Sequence, residues 1–204
     1  MMETKEEDSK SFDEMQSIQV IREMILVSQN KLRNNGILFI FWGWLLFYIS
    51  ITGFVSREAG LSWEIQNILG LTTIIFSIAG LIFTIYYLIK KRKKVRTYIG
   101  DSLKYIWVTA FFSLVFINLI QYNVLHTIKF ELQHPIFMVV FALAIISTGG
   151  ILRYKLIIIG GIIFGLLALL SSYFSISVQL LFESIAWIIA FVIPGHILYA
   201  NRKK

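Results

Sequence analysis

From Ile37 onward the chain is a succession of long uncharged stretches broken by short polar clusters. The stretches run Ile37 to Ser56, Ile65 to Ile89, Tyr105 to Ile128, Leu132 to Leu152, Leu156 to Phe182 and Ser184 to Asn201. Each is about the length of the roughly 20 residues that an α-helix needs to cross a bilayer. Six spans are therefore predicted, at about 37–56, 67–89, 105–125, 135–152, 156–173 and 179–199. Runs such as LIFTIYYLI and LIIIGGIIFGLLALL show no alternation of apolar and polar positions, which excludes the strands of a transmembrane barrel. The expected fold class is all-α integral membrane, a six-helix bundle over residues 36–204.

The first 35 residues follow a different pattern. Residues 1–10, MMETKEEDSK, are charged and without apolar periodicity, as in a disordered acidic tail. Ser11-Phe-Asp-Glu14 then has the S-x-x-E form of a helix capping box. Beyond it Ile18, Ile21, Ile25 and Leu32 recur at helical spacing, with Gln19, Glu23 and Asn30 opposite, and Asn34-Asn35-Gly36 is a stop signal. This predicts an amphipathic helix over 11–35. The segment lacks the basic start and short apolar core of a cleaved signal peptide, so the first span is expected to act as its own insertion signal.

Composition supports the same class: 57% of the 204 residues are hydrophobic and 15% charged, whereas soluble domains are about a quarter charged. The absence of cysteine removes disulfides, thiolate metal sites and cysteine nucleophiles from consideration.

Charge placement gives an orientation. If the N-terminus is cytoplasmic, the inner ends of the spans hold fourteen Lys and Arg and the outer loops only Arg57 and Lys129. Basic residues beside short loops stay on the cytoplasmic side, so both termini are expected inside. Trp and Tyr prefer the interfaces. Trp63, Tyr122, Tyr173 and Trp187 fall near predicted outer ends. Tyr86, Tyr87, Tyr98, Tyr105, Trp107, Tyr154 and Tyr199 fall near inner ones. The densest basic run, KKRKKVR at 90–96, lies between two spans in a loop too short to fold, so a nucleic-acid role is not expected. It is read first as a topology determinant. Lys90, Lys91, Arg92, Lys93, Lys94 and Arg96 are also candidates for contact with anionic lipid headgroups.

Residues 1–30 hold seven acidic and three basic side chains, which disfavours attachment of that segment to an anionic membrane surface. Two readings of the amphipathic helix stand side by side. Either it packs on the protein's own basic loop, or Ile18, Ile21, Ile25 and Leu32 dock a cytoplasmic protein partner.

Within the spans the candidate chemistry is sparse. Glu183 is the one carboxylate in a span-like stretch, and an intramembrane acid is a functional suspect because burying its charge is costly. Asn118, Gln121 and Gln179 share its predicted depth in the outer leaflet, and Thr72 and Thr73 join them as candidates. These residues either line an outward-facing ligand pocket or hydrogen-bond one another and stitch helices together. His126, Glu131 and His134 are placed in the outer loop between spans three and four, without the spacing of a zinc site. Pro135 is expected to open span four in its first turn, and Pro194-Gly195 to kink or end span six. Gly149-Gly150, Gly160-Gly161 and Gly165 flank the short turn Arg153-Tyr154-Lys155, which predicts close packing of spans four and five. No P-loop, H-E-x-x-H, G-x-S-x-G or dinucleotide-binding glycine pattern is present, and neither an enzyme activity nor a cofactor is predicted.

The segment IQVIREMILVSQNKLRNNG leading into FIFWGWLLF, and the closing FVIPGHILYANRKK, resemble small six-span inner-membrane proteins of the Bacteroidetes type, a group with no assigned activity. The resemblance implies a bacterial cytoplasmic membrane location and assigns no residue a role. The functional expectation is a non-enzymatic anchoring, regulatory or sensing protein acting through its cytoplasmic face. The alternative is a transporter or channel for a neutral or weakly polar solute, built on the outer polar cluster.

Overall fold

The structure, a computed structural model, describes residues 36–91 and 98–200, together with residues 16, 18–20, 22 and 23. Among the described residues all regular elements are helical. They are α1 (Gly36–Glu58), α2 (Trp63–Lys91), α3 (Tyr98–Leu125), α4 (Phe130–Leu152), α5 (Lys155–Ser171) and α6 (Ile176–Trp187). From α6 the chain passes through a π-helical turn, Ile188–Val192, into α7 (Ile193–Ala200). Helices α1, α2, α3, α4 and the continuous rod Ile176–Ala200 are each long and apolar enough to cross a membrane, and α5 is a shorter apolar helix of 17 residues. The chain is a multi-pass α-helical membrane protein.

Neighbouring helices run antiparallel. The near end of the bundle holds Gly36, the turn after Leu152 and the end of α7, where Gly36 packs on Gly195 and Tyr199. The far end holds the connections 59–62, 126–129 and 172–175. The turn from α4 to α5 is closed by Tyr154 N–H donating to Gly149 O at 2.9 Å and Arg153 N–H to Gly150 O at 3.1 Å, with Arg153 left-handed at φ 50°. That is the double bond of a Schellman turn.

The core is organised around Trp187, which is fully buried. Its ring lies 4.8 Å from Phe164 on α5, 5.2 Å from Phe141 on α4 and 5.3 Å from Phe191, centroid to centroid. Phe191 in turn meets Phe39 of α1 and Trp107 of α3. Trp187 is thus a central packing residue rather than an interfacial one. The aromatic-belt expectation fails for it because three phenylalanine rings surround it, and Glu183 one turn away accepts its N–H.

Glycines let the central helices approach. A Cβ at Gly161 would stand 2.7 Å from Ile146 Cγ1, one at Gly149 2.8 Å from the Ile158 backbone nitrogen, and one at Gly160 2.9 Å from Ala190 Cα. Helices α4 and α5 are therefore packed together within the chain, with α5 wedged also against the π turn. At Gly165 a Cβ would make only an ordinary 3.5 Å contact with Ala142.

Outside this core, α2 lies along α1, and α3 lies along α4. Both flanking helices keep broad apolar surfaces exposed, including Ile68, Leu71, Ile75 and Ile82 on α2 and Phe111, Phe116 and Ile120 on α3. Lipid tails are as apolar as these side chains and cover them without cost. An open apolar groove of about 560 Å³ between α1 and α2, floored by Phe41, Leu45 and Tyr48, has the same character.

Three sequence expectations need correction. Helix α4 begins at Phe130, so Pro135 lies inside it and Glu131 and His134 are helical rather than in a loop; only His126 stays in the connection. Pro194 does not end the last span. The ring of a proline clashes with the carbonyl four residues back. Here that carbonyl belongs to Ala190, within the π turn, whose wider winding accommodates the ring and lets the helix continue to Ala200. His196 then bonds through Nδ1 to Val192 O at 2.9 Å, and since a carbonyl only accepts, Nδ1 carries the proton.

Of the N-terminal segment, Gln16, Ile18, Gln19, Val20, Arg22 and Glu23 are described; all are helical and exposed. Ile21, Ile25 and Leu32 lie outside the described residues, as do Arg92, Lys93, Lys94 and Arg96 of the basic run. Lys90 is described and exposed, with Nζ 5.7 Å above the Tyr86 ring; of Lys91 only the helical backbone is described.

Candidate functional site

The far end of the bundle gathers the polar side chains of three helices around the first turns of α4. The organising feature is Pro135. Having no N–H, it leaves the carbonyl of Glu131, four residues earlier, without its helical donor. Gln179 of α6 supplies one: its Nε2 donates to Glu131 O at 3.0 Å and to Phe174 O at 2.9 Å. A side chain from a helix 48 residues away thus replaces the missing main-chain hydrogen bond.

On the α3 side the same turn is held by amides. Gln121 Nε2 donates to Lys129 O at 3.1 Å, Gln133 Nε2 donates to Asn118 Oδ1 at 2.7 Å, and Asn118 Nδ2 donates back to Leu114 O at 2.9 Å. On the α6 side His134 Nδ1 stands 3.1 Å from Glu183 Oε2. At that distance an imidazolium and a carboxylate attract, but His134 Nδ1 makes no hydrogen bond, to Glu183 or to any other described residue. The other carboxylate oxygen accepts the indole N–H of Trp187 at 3.2 Å.

The orientation of every amide in this network follows from its partners. Backbone carbonyls only accept, so Gln121, Gln179 and Asn118 must turn their NH₂ groups toward Lys129, Glu131 and Leu114. Asn118 then offers its oxygen, which fixes Gln133 as the donor. The consequence is an imbalance: the carbonyl oxygens Gln121 Oε1, Gln133 Oε1 and Gln179 Oε1 are all buried and have no donor, and neither has His134 Nδ1 a hydrogen-bond partner. Gln179 is 1% exposed, Gln133 7% and Gln121 8%. Buried carbonyls normally find a donor, and each one left without costs about 1–3 kcal/mol.

The structure therefore brings together the four sequence candidates Asn118, Gln121, Gln179 and Glu183, in two adjoining groups on either side of α4. It excludes Thr72 and Thr73 from them. Thr72 is on the α1 flank, where Tyr48 Oη meets its Oγ1 at 2.9 Å, and Thr73 bonds its own helix at Gly70 O. Sequence reasoning missed Gln133, which ties α4 to α3, and the pairing of His134 with Glu183. The proline carries a signal for Gln179 alone, since a carbonyl deprived of its donor demands a nearby polar side chain, and nothing in the spacing singles out Gln133. Among the described residues no group of three or more His, Cys, Asp or Glu is placed to hold a metal ion.

Comparison with protein-family models, with curated proteins and with solved structures finds no match.

Proposed function

We propose that this chain is a non-enzymatic membrane protein with six spans and both termini cytoplasmic, which anchors or regulates a cytoplasmic protein through the helix of residues 11–35. In this reading α5 is the fifth span, its 17 residues extending about 26 Å at ~1.5 Å per residue. The observation that carries the reading is the exposure of the described part of that segment. Ile18, first residue of the apolar seam, is 64% exposed, and no described residue between 16 and 23 is buried. An exposed Ile18 is available to a partner, in the helix-in-groove manner. The basic run at 90–96 marks the same face and offers anionic lipids a surface. The resemblance to bacterial inner-membrane proteins supports a bacterial cytoplasm as the setting of this face.

The test is co-purification from native membranes of the full chain beside Ile21→Glu/Ile25→Glu. A soluble protein retained by the first and lost from the second, then rebound by the purified wild-type chain alone, supports the reading. Equal retention by folded protein of both forms sinks it.

The transporter reading draws on a different feature, the unpaired amide oxygens at the far end. Most donors of that cluster are committed to helix carbonyls, which favours a fixed binding site over a conducting path.

A further inference from the structure

The groove between α1 and α2 has a definite depth and a charged mouth. Its α1 wall runs from Ile37 past Phe41 and Trp44 to Tyr48. Phe76 of α2 stands at the inner end, its ring 5.3 Å from that of Tyr48. The eleven residue steps from Ile37 to Tyr48 span about 16 Å at ~1.5 Å per residue. That is the depth of one leaflet, half of a hydrocarbon core roughly 30 Å thick. The groove begins in the first turn of α1 and stops near the middle of that helix, so it is open to the near leaflet alone. Its lining is almost wholly apolar, and the Tyr48 hydroxyl is turned to Thr72 Oγ1.

Helical phase places a cation at the mouth. The groove lies on the side of the α1–α2 contact away from the bond between Trp42 and Thr84. Tyr86 and Lys90 stand about 200° and 240° around α2 from Thr84, and so on the groove side. Depth follows from the antiparallel register, in which Phe41 meets Phe83 and Leu45 meets Gly80. Ile37 is therefore level with the turn that carries Tyr86. Lys90 is one turn further out, but its Nζ is folded back to 5.7 Å above the Tyr86 ring. The ammonium thus stands beside the entrance.

We propose that the α1–α2 groove binds an anionic phospholipid of the near leaflet, one acyl chain seated from Ile37 to Tyr48 and the phosphate-bearing headgroup at Lys90. The apolar wall selects a hydrocarbon chain, and the lysine selects the charge of the group above it. A zwitterionic lipid fills the groove as well but carries a positive group to the same mouth. A second copy of the chain, related by an axis normal to the membrane, would bring two Lys90 ammonium groups to one level, like charge facing like. The site requires only that the chain span a membrane, and it stands whether or not the helix of residues 11–35 binds a partner.

The experiment uses the full chain in neutral detergent. Phosphatidylglycerol or phosphatidylcholine, each with a photoactivatable diazirine near the end of one acyl chain, is added at equal concentration. Native mass spectrometry measures retention, and mapped crosslinks give position. The expected result is saturable retention of phosphatidylglycerol above phosphatidylcholine, with crosslinks concentrated around Tyr48 and Phe76. Lys90→Gln should weaken phosphatidylglycerol retention about fivefold, one basic residue's share of the attraction to an anionic lipid. Lys104→Gln, which removes an equally exposed cation from the near end of α3, should leave it unchanged. Equal retention of the two lipids, crosslinks spread evenly over the exposed faces of α2 and α3, crosslinks between two copies of the chain in place of lipid adducts, or equal effects of the two lysine variants would each overturn the proposal. Retention and the crosslink map on wild-type protein decide the matter even if a variant does not fold.

Discussion

The α1–α2 seam and the far end of α3, α4 and α6 solve one problem in opposite ways. Both must place polar side chains in a setting where water cannot satisfy them. Along α1 and α2 each bond is a closed pair. Trp42 Nε1 donates to Thr84 Oγ1 at 3.0 Å, while Thr84 turns its own proton to Gly80 O at 2.8 Å. Thr72 likewise bonds Leu69 O at 2.8 Å, so Tyr48 is the donor of the 2.9 Å bond between them. Hydroxyls can give and take at once, and nothing is left over. At the far end the partners are amides, whose two ends are chemically distinct. With the NH₂ ends bound to main-chain carbonyls, the oxygens are stranded. The first seam pairs its hydroxyls; the second leaves three amide oxygens without a protein donor among the described residues.

The largest effect should come from neither seam but from the glycine contact that positions them. Gly161→Leu drives a side chain into Ile145 and Ile146, and the expectation is loss of the folded, monodisperse protein, because overpacking beyond a few methylenes costs about 3 kcal/mol or more. Gly150→Leu, where a Cβ meets nothing within 4 Å, should purify as wild type, and size-exclusion profiles of the two variants read the contrast directly.

Next in size is the proline clasp. Gln179→Leu removes the donor to Glu131 O and Phe174 O and should destabilise by about 1–3 kcal/mol in a thermal or denaturant unfolding assay. Pro135→Ala returns a main-chain N–H to Glu131 O, so the double variant should lose less than the sum of the two singles. Additive losses would mean that the side chain does not stand in for the missing amide.

The smallest effect should belong to the closed seam. Thr84→Val removes one acceptor from Trp42 and should cost about 0.6 kcal/mol, the average of interhelical hydrogen bonds in a bilayer. A cost well above that of Gln179→Leu would reverse the ranking of the two regions.

Much of this architecture is legible in the chain. Uncharged windows bounded by basic clusters announce helices of spanning length, and the glycines around Arg153 announce a close hairpin, because both signals act through local composition and spacing. Depth is legible too: distance from the span ends puts Asn118, Gln121, Gln179 and Glu183 at one level. What spacing does not carry is helix order and rotation. Thr72 shares their depth but faces α1. Trp187 has the composition of an interfacial residue and fills the centre. Gln133 falls ahead of the expected start of span four at Pro135, whereas the helix begins at Phe130 and carries Gln133 on its first turn.

The π turn at Ile188–Val192 sets the angular phase of everything after it. One extra residue in the coil turns the last two turns of the rod about their axis, so that Gly195 meets α1 at Ile40 and His196 faces outward. Deleting a single residue from that turn would leave the helix and its composition intact while rotating a bulky neighbour into the place of the glycine. Insertion and deletion are therefore poorly tolerated in a stretch whose composition, uncharged and apolar throughout, gives no hint of it.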